Sequence, residues 1–91
     1  MTETAVRFLA EIQVSLKPTV NDPEGTTIAG ALGNLGFDTV QSVRAGRYFQ
    51  VMLEASDAVT AEEHVKQMCE RLLANPVIET YSFKVTALEP A

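Results

Sequence analysis

The sequence predicts an α+β fold in which strands and helices follow one another in the order βαββαβ. Three observations support this: a long segment with an apolar residue at every second position, two segments with helical spacing and start signals, and further extended segments around them. The order is typical of the ferredoxin-like, split βαβ two-layer sandwich, in which two helices cover one face of a four-stranded sheet. We expect the other face, or an edge of the sheet, to be completed by dimerisation.

The size of the chain leaves room for one domain. Its 91 residues predict a single domain over residues 1–91, with an ordered core of about 6–86. A domain of this size buries only roughly 60–65% of the surface of its unfolded chain. Because 46% of the residues are hydrophobic, we expect apolar side chains to remain for a neighbour to cover.

The first strand is predicted from Val6 to Leu16, where every even position is apolar and polar residues lie between. At ~3.3 Å per residue this strand would be about 36 Å long, which exceeds the usual length in a small domain. We therefore expect it either to fray at one end or to pair partly outside its own fold.

A helix follows the loop at residues 17–25. Asp22 is a suitable N-cap, and Pro23 suits the first helical turn because its missing N–H would be unpaired there. Gly36 is placed to end the helix in a left-handed conformation. The helix presents one apolar face, formed by Ile28, Ala31, Leu32 and Leu35.

Two strands are predicted next, at 40–45 and 47–55, with the pair Gly46-Arg47 forming a type II′ turn between them. Phe49, Val51 and Leu53 define the core face of the second of these strands. Tyr48 and Met52 make its other face more apolar than a solvated face needs to be. This pattern again favours a contact beyond the monomer.

The second helix is predicted to begin with a capping box formed by Thr60 and Glu63. Asn75-Pro76 ends it, and a last strand covers about 77–85, with a bulge or a late start at Ile78. Loose ends are expected around Glu3 and at residues 88–91. The predicted buried stripe of the helix consists of Val65, Met68, Cys69 and Leu72, widened by Leu73.

Reactive side chains are scarce in this sequence. His64, the only histidine, lies near the start of the second helix without an orienting acid, and Cys69, the only cysteine, lies on the apolar stripe. Neither matches the spacing of a metal site or of a nucleophile with its base. We therefore predict no catalytic residue and no metal ligand in this chain, and expect it to act through its surfaces.

Net charge, the length of apolar runs and the first residues of the chain argue against several classes of partner and location. The net charge of −5 disfavours nucleic-acid binding. No apolar run is long enough to span a membrane, and the start of the chain lacks the features of a signal peptide. The sequence therefore predicts a cytoplasmic protein without a membrane partner.

Arg44 and Arg47 flank Gly46, with Tyr48 beside them. Two guanidinium groups at one hairpin tip suit a phosphate, a carboxylate or a partner protein. They equally suit a solvated turn, and spacing alone leaves these interpretations open.

Three segments of the sequence, in this order and spacing, closely resemble the small S subunit family of phosphoribosylformylglycinamidine synthase: Val14–Lys17 with Asp22–Gly25, Val43–Phe49, and Cys69–Glu79. The resemblance extends over about Phe8 to Val85. One departure is Arg47, where lysine is common in the family.

The resemblance implies a role in purine biosynthesis. The family's enzyme converts formylglycinamide ribonucleotide to the amidine with ATP, Mg and glutamine, using a glutaminase subunit and an ATP-dependent synthetase subunit. The small subunit has no active site, binds no cofactor, forms homodimers, with tetramers left open, and bridges the other two so that ammonia passes between them. The family motifs fall on residues that we expect to make or shape partner contacts: Arg44, Gly46, Arg47, Tyr48, Asp22, Pro23 and Gly25.

Two other functions are compatible with the same fold. One is a regulatory module that binds a small molecule between subunits, and it predicts a ligand-dependent rise in melting temperature. The other is an independent enzyme that uses Arg44 and Arg47 on a phosphorylated substrate, and it predicts turnover without partners.

Overall fold

The structure, a computed structural model, describes residues 5–88. Over these residues it contains an antiparallel sheet with strand order β2-β1-β3, two α-helices and one π-helical turn. The elements are β1 Val6–Leu16, α1 Pro23–Asn34, β2 Gly46–Ala55, α2 Ala58–Met68, the π turn Cys69–Leu73, and β3 Glu79–Ala87. The predicted ferredoxin-like arrangement is confirmed in a form with three strands.

Strand β1 occupies the centre of the sheet and has the predicted bounds. It pairs with β2 over Val6–Ser15 and with β3 over Phe8–Leu16, and Ile12 lies between Phe49 and Phe83. The strand is therefore paired within its own chain along its length. The expectation that it frays or pairs partly outside the fold was wrong, because both neighbouring strands match it in length.

The core lies between this sheet and α2. The even residues of β1 from Phe8 to Val14 are at most 3% exposed, and Val65 and Cys69 of the helical layer are fully buried against them. Alternation with period two places one face of β1 against the helix, as the sequence predicts.

The strand predicted at 40–45 does not form. These residues pair with no strand within the part of the chain that the structure describes. The type II′ turn at Gly46-Arg47 is also absent, because both residues lie in β2, opposite Ser15 and Val14. The place that the ferredoxin-like arrangement gives to a fourth strand, beside β2, is consequently open.

The helix ends follow the sequence at α1 and differ from it at α2. Gly36 has φ +99, and Phe37 N–H bonds to the Leu32 carbonyl oxygen, which completes a left-handed cap. The capping box at Thr60 was wrong: Asp57 is the N-cap and accepts from Thr60 N–H at 2.7 Å. An aspartate three residues earlier supplies a charged acceptor, so the helix begins there.

The π turn after α2 changes which side chains face the core. Ala74 N–H bonds to the Cys69 carbonyl oxygen, and the wider turn rotates the residues that follow Cys69. Leu72, predicted to be buried, is 82% exposed, whereas Leu73 is half-buried. The chain leaves the helix before Asn75, and β3 starts late, at Glu79, as predicted.

The molecule is strongly elongated. Its extents are 63 × 32 × 14 Å and its radius of gyration is 17.7 Å, against about 12 Å for a compact chain of this length. Leu88 is tied to the sheet because its N–H donates to the Arg7 carbonyl oxygen at 2.8 Å. The other loose-end residues predicted at the termini, 1–4 and 89–91, lie outside the described residues.

Candidate functional site

We name residues 17–45, which connect β1 to β2, the arm. The arm leaves the sheet where β1 ends and β2 begins, and α1 lies within it. Among residues 5–88, α1 has no extensive packing against a strand or against α2, and Gly25 is its only buried residue. The prediction that two helices cover the sheet was therefore wrong, since α2 alone does so.

The arm exposes apolar side chains that would normally be covered. Leu35 is 73% exposed and Phe37 is 55% exposed. Ile28 and Val40 are also exposed. A helix whose apolar face meets only water has little support from tertiary packing, and contiguous exposed apolar patches mark interaction sites. The arm therefore has the features of a surface that another chain covers.

Asp22 fixes the base of the arm. Its carboxylate accepts from Gly25 N–H at 2.9 Å and from Ala45 N–H at 2.7 Å, so it joins the start of α1 to the start of β2. These two backbone hydrogen bonds hold the pKa of Asp22 below its ordinary value, with the Arg44 guanidinium a smaller cause. Asp22 is itself buried.

Arg44 closes the same junction from the other side. Its Nη2 donates to the carbonyl oxygens of Lys17 and Val20, at 2.8 and 2.9 Å. A Cβ at Gly25 would collide with the Val43 carbonyl oxygen, so this close approach requires glycine. The base of the arm is thus a hydrogen-bonded clamp, and it sets the direction in which α1 points.

The pH dependence of the clamp follows from Asp22. A carboxyl whose pKa is lowered on folding contributes stability above its unfolded pKa, and this contribution is lost as the pH falls through the folded pKa. We expect the free energy of unfolding to decrease below about pH 4, and Asp22→Asn to remove part of that decrease. Denaturant titrations from pH 2 to 7 measure this. A pH profile unchanged by Asp22→Asn would contradict it.

Arg47 and Gly46 lie at the start of β2. Arg47 Nη2 contacts both oxygens of Glu79, at 2.9 and 2.8 Å, and donates to the Leu73 carbonyl oxygen at 3.3 Å. Its guanidinium carbon lies 5.7 Å from the centre of the Phe49 ring. A Cβ at Gly46 would lie 2.5 Å from a backbone oxygen of β1. Both residues therefore join parts of this chain.

Charge reversal at Arg47 tests this role. In Arg47→Glu a second carboxylate faces Glu79 and the bond to the Leu73 carbonyl is lost. Because the Arg47 side chain is 54% exposed, we expect a loss of only about 1–2 kcal/mol in unfolding free energy. Chemical denaturation measures it, and the double variant Arg47→Glu with Glu79→Arg should recover part of the loss. Equal stability of the single and double variants would contradict the prediction.

The face of the sheet opposite α2 is uncovered, and its charged side chains lie opposite residues of the other sign. Tyr48 is 53% exposed and Met52 is 59% exposed, as their predicted outward orientation requires. Cross-strand neighbours of opposite charge flank them: Arg7 opposite Glu54, and Glu11 opposite Lys84. Tyr48 is the predicted contact residue that projects from this face.

An apolar groove lies on the other face, beside α2. It has a volume of about 320 Å³. Its lining residues come from β2, the end of α2 and the π turn: Val51, Gln67, Met68, Arg71, Leu72 and Leu73. The groove occupies the side of α2 where the ferredoxin-like arrangement would place the first helix.

Two side chains with reactive chemistry, Cys69 and Tyr81, have raised pKa values. Burial raises the pKa of the Cys69 thiol, with the charge of Glu70 a second cause. Tyr81 O–H donates to Glu70 at 2.9 Å beside a cleft of about 550 Å³, and burial also raises its pKa. Over residues 5–88 no cluster of His, Cys, Asp or Glu could hold a metal ion, and no helix is long and apolar enough to cross a membrane.

A family model described as phosphoribosylformylglycinamidine (FGAM) synthase, PurS, matches residues 9–87, nearly all of the chain. The chain belongs to the PurS family. The PurS subunit of Synechocystis sp. is 50% identical, with 92% of this chain and 84% of that protein covered. The PurS subunit of Bacillus subtilis is 42% identical, over 86% of this chain and 92% of the relative.

Solved structures agree with the sequence match. PurS of Methanocaldococcus jannaschii superposes with a TM-score of 0.82 at 38% identity, covering 90% of this chain and 99% of that one. A chain in the structure of PurLQS from Thermotoga maritima gives 0.79 at 36% identity, covering 90% and 98%. The expected identity as an FGAM synthase subunit of purine biosynthesis is thereby confirmed.

The predicted contact residues form two groups in the structure. Four lie at the clamp, which was not itself predicted: Asp22, Pro23, Gly25 and Arg44. Gly46 and Arg47 lie at the nearby start of β2, and Tyr48 projects from the open face. Their contact with other chains stays a prediction. Sequence reasoning missed the groove, because it depends on the π turn and nothing in the sequence signals that turn.

Proposed function

We propose that this chain is the non-catalytic bridging subunit of FGAM synthase, which joins the glutaminase subunit to the ATP-dependent synthetase subunit. The observation that carries the proposal is the arm: a hydrogen-bonded base presents a helix with exposed apolar side chains away from the sheet. The match to a chain of the Thermotoga maritima PurLQS structure supports a subunit role.

Self-association is part of the proposal. The arm exposes several large apolar side chains, and an apolar groove lies open beside α2; contiguous exposed apolar surface of this kind marks interaction sites. A homodimer covers both with one repeated contact, because two-fold symmetry uses the same pair of surfaces twice. The homodimer in turn offers each large subunit a fixed platform.

The benefit of such a bridge is a high effective concentration. Two active sites held in one assembly exchange a released molecule within the complex rather than through bulk water. An enclosed path also limits the escape and protonation of ammonia. ATP, Mg and glutamine belong to the large subunits in this proposal, and this chain binds none of them. The proposal places this assembly in the cytoplasm.

The test is reconstitution with both large subunits. Glutamine-dependent formation of the amidine should require this chain, whereas synthesis supplied with free ammonia should depend on it far less. The assay measures both rates with and without the chain. A glutamine-dependent rate that is equal in its absence would contradict the proposal.

The same purified proteins distinguish the bridging function from the two alternatives, a regulatory module and an independent enzyme. A regulatory module would show a rise in melting temperature with purine intermediates, nucleotides or amino acids, with the cleft beside Tyr81 as the available space. An independent enzyme would show turnover by the chain alone. The bridging proposal predicts neither result.

A further inference from the structure

We propose that the outer edge of β3 binds an extended segment of one of the large subunits, which adds a strand to the sheet and places a basic side chain in the cleft beside Tyr81. The inference rests on the proposed bridging function and specifies one of its contact surfaces. The surface lies on the β3 side of the sheet, whereas the apolar groove lies on the β2 side.

Strand β3 has one paired edge and one free edge. Lys17 N–H donates to the Ile78 carbonyl oxygen and Leu88 N–H donates to that of Arg7, and the register between β1 and β3 is continuous from one pair to the other. Because hydrogen-bonded pairs alternate along an antiparallel ladder, the even residues of β3 bond to β1. The backbone groups of the odd residues point outwards: Glu79, Tyr81, Phe83, Val85 and Ala87. Within residues 5–88 no strand pairs with this edge.

The free edge lacks most features that keep other strands away. Proteins usually protect an exposed edge by making it short, by proline, by a bulge or by lysines. Strand β3 has nine residues, no proline and an unbroken register, and Lys84 is its only lysine. In the ferredoxin-like arrangement the fourth strand belongs beside β2, so it does not cover this edge. A regular, unpaired edge of this kind is a template for an extended segment of another chain.

The cleft lies at the start of the same edge. It has a volume of about 550 Å³, with walls from the π turn, the loop that follows it and the first residues of β3. Ala74, Pro76 and the ring of Tyr81 contribute its apolar lining. A strand beside β3 would place every second side chain on the side of the sheet that carries α2. A side chain opposite Tyr81 would therefore enter the cleft, and the following ones would lie against Phe83 and Val85, which are half-buried.

The charge of the cleft indicates which side chain it accepts. The charged residues of its lining are Glu70 and Glu79, both acidic. Glu79 is paired with Arg47 at 2.8 Å. Glu70 accepts from Tyr81 O–H at 2.9 Å but forms no salt bridge within residues 5–88. Complementary charge therefore favours a lysine or arginine of the added strand beside Glu70.

A second copy of β3 supplies no such side chain. In a two-fold antiparallel pair of β3 strands, the odd residues of both strands lie on the side that carries α2, and none of them is basic. A segment of a large subunit with alternating apolar side chains and one lysine or arginine meets both requirements. Backbone hydrogen bonds would supply affinity and the cleft would supply specificity, as in other cases of strand addition.

Hydrogen exchange of the backbone amides tests the added strand directly. The isotope-labelled chain is placed in heavy water alone, with each large subunit separately and with both. Exchange is then quenched, and the amides of this chain are read by NMR in dimethyl sulfoxide. The N–H groups of Tyr81, Phe83 and Val85 should exchange roughly ten-fold or more slowly with one of the large subunits than without it. Ser82 and Lys84 bond to β1 and should be protected in every sample.

Charge substitutions test the cleft. Glu70→Gln keeps an acceptor for Tyr81 O–H but removes the charge, and Glu70→Lys reverses it. The dissociation constant for the large subunit that protects the edge should rise by roughly three-fold and ten-fold, respectively. Glu62→Lys, an exposed position of α2 outside the cleft lining, is the matched control and should leave the constant unchanged. Fluorescence anisotropy of the labelled chain measures binding, and circular dichroism checks the fold.

Three results would overturn the inference. The odd amides of β3 could exchange equally fast in the assembled enzyme, or they could be protected already in the chain alone, which would assign the edge to a second copy. Equal affinity of the Glu70→Lys and Glu62→Lys chains would reject the basic side chain. If the assembled enzyme gave one of these results and its glutamine-dependent activity still required this chain, the bridging function would stand and only this contact would be rejected.

Discussion

Gly25→Ala should open the base of the arm. The new Cβ would collide with the Val43 carbonyl oxygen and lie 2.9 Å from Asp22 Oδ2, so the two backbone segments must separate. Separation weakens the Asp22 bonds to Gly25 and Ala45 as well. We expect a loss of about 3 kcal/mol in unfolding free energy and a weaker dimer, measured by urea denaturation and by sedimentation.

Gly30→Ala is the matched control for this substitution. Nothing lies within 4 Å of a Cβ at Gly30, and the position is on the side of α1 opposite Ile28, Leu32 and Leu35. Alanine there should raise helix stability by up to about 1 kcal/mol. Equal stability of the Gly25→Ala chain and the unmodified chain would show that the clamp is not a close-packed junction.

Val65→Asp should prevent folding. Val65 is fully buried between α2 and the centre of the sheet, against the cluster that includes Ile12 and Cys69. An unpaired carboxylate there costs about 3–5 kcal/mol, a large part of the stability of a domain of this size. Far-ultraviolet circular dichroism and the dispersion of amide NMR signals would both report the loss.

Val59→Asp, on the same helix, is the control for this effect. Val59 is 75% exposed and lies in the first turn of α2, where a negative charge interacts favourably with the helix dipole. The variant should fold with nearly unchanged stability. Folding of Val65→Asp to a native-like state would contradict the position of the core between α2 and the sheet.

The elements that sequence reasoning predicted well are those fixed by local physics. Alternation gave β1 its bounds because half of its side chains must enter the core. The ends of α1 were predicted from residues that suit helix termini. Asp22 accepts from a free N–H at the start, Pro23 lacks an N–H there, and Gly36 adopts the left-handed conformation at the end. The clamp was not predicted. Asp22, Gly25 and Arg44 were expected to be contact residues in two separate family motifs, and the hydrogen bonds that join these motifs link residues more than 20 positions apart.

The errors arose where the structure depends on contacts or backbone geometry that local sequence patterns do not specify. The apolar face of α1 was assigned to its own sheet, yet the spacing of apolar residues does not say which chain covers them. The π turn moved Leu72 from the core to the surface, and no residue type in that segment signals the extra backbone position. Both errors concern the surfaces on which the proposed assembly depends.

The most direct test of the central claim, that neighbours complete what this fold leaves uncovered, is the mass of the purified full-length chain in dilute solution. Sedimentation equilibrium over a wide range of concentrations should give a particle of at least two chains, each of 9.9 kDa. A particle of one chain at every concentration, unchanged when both large subunits are added, would contradict the account.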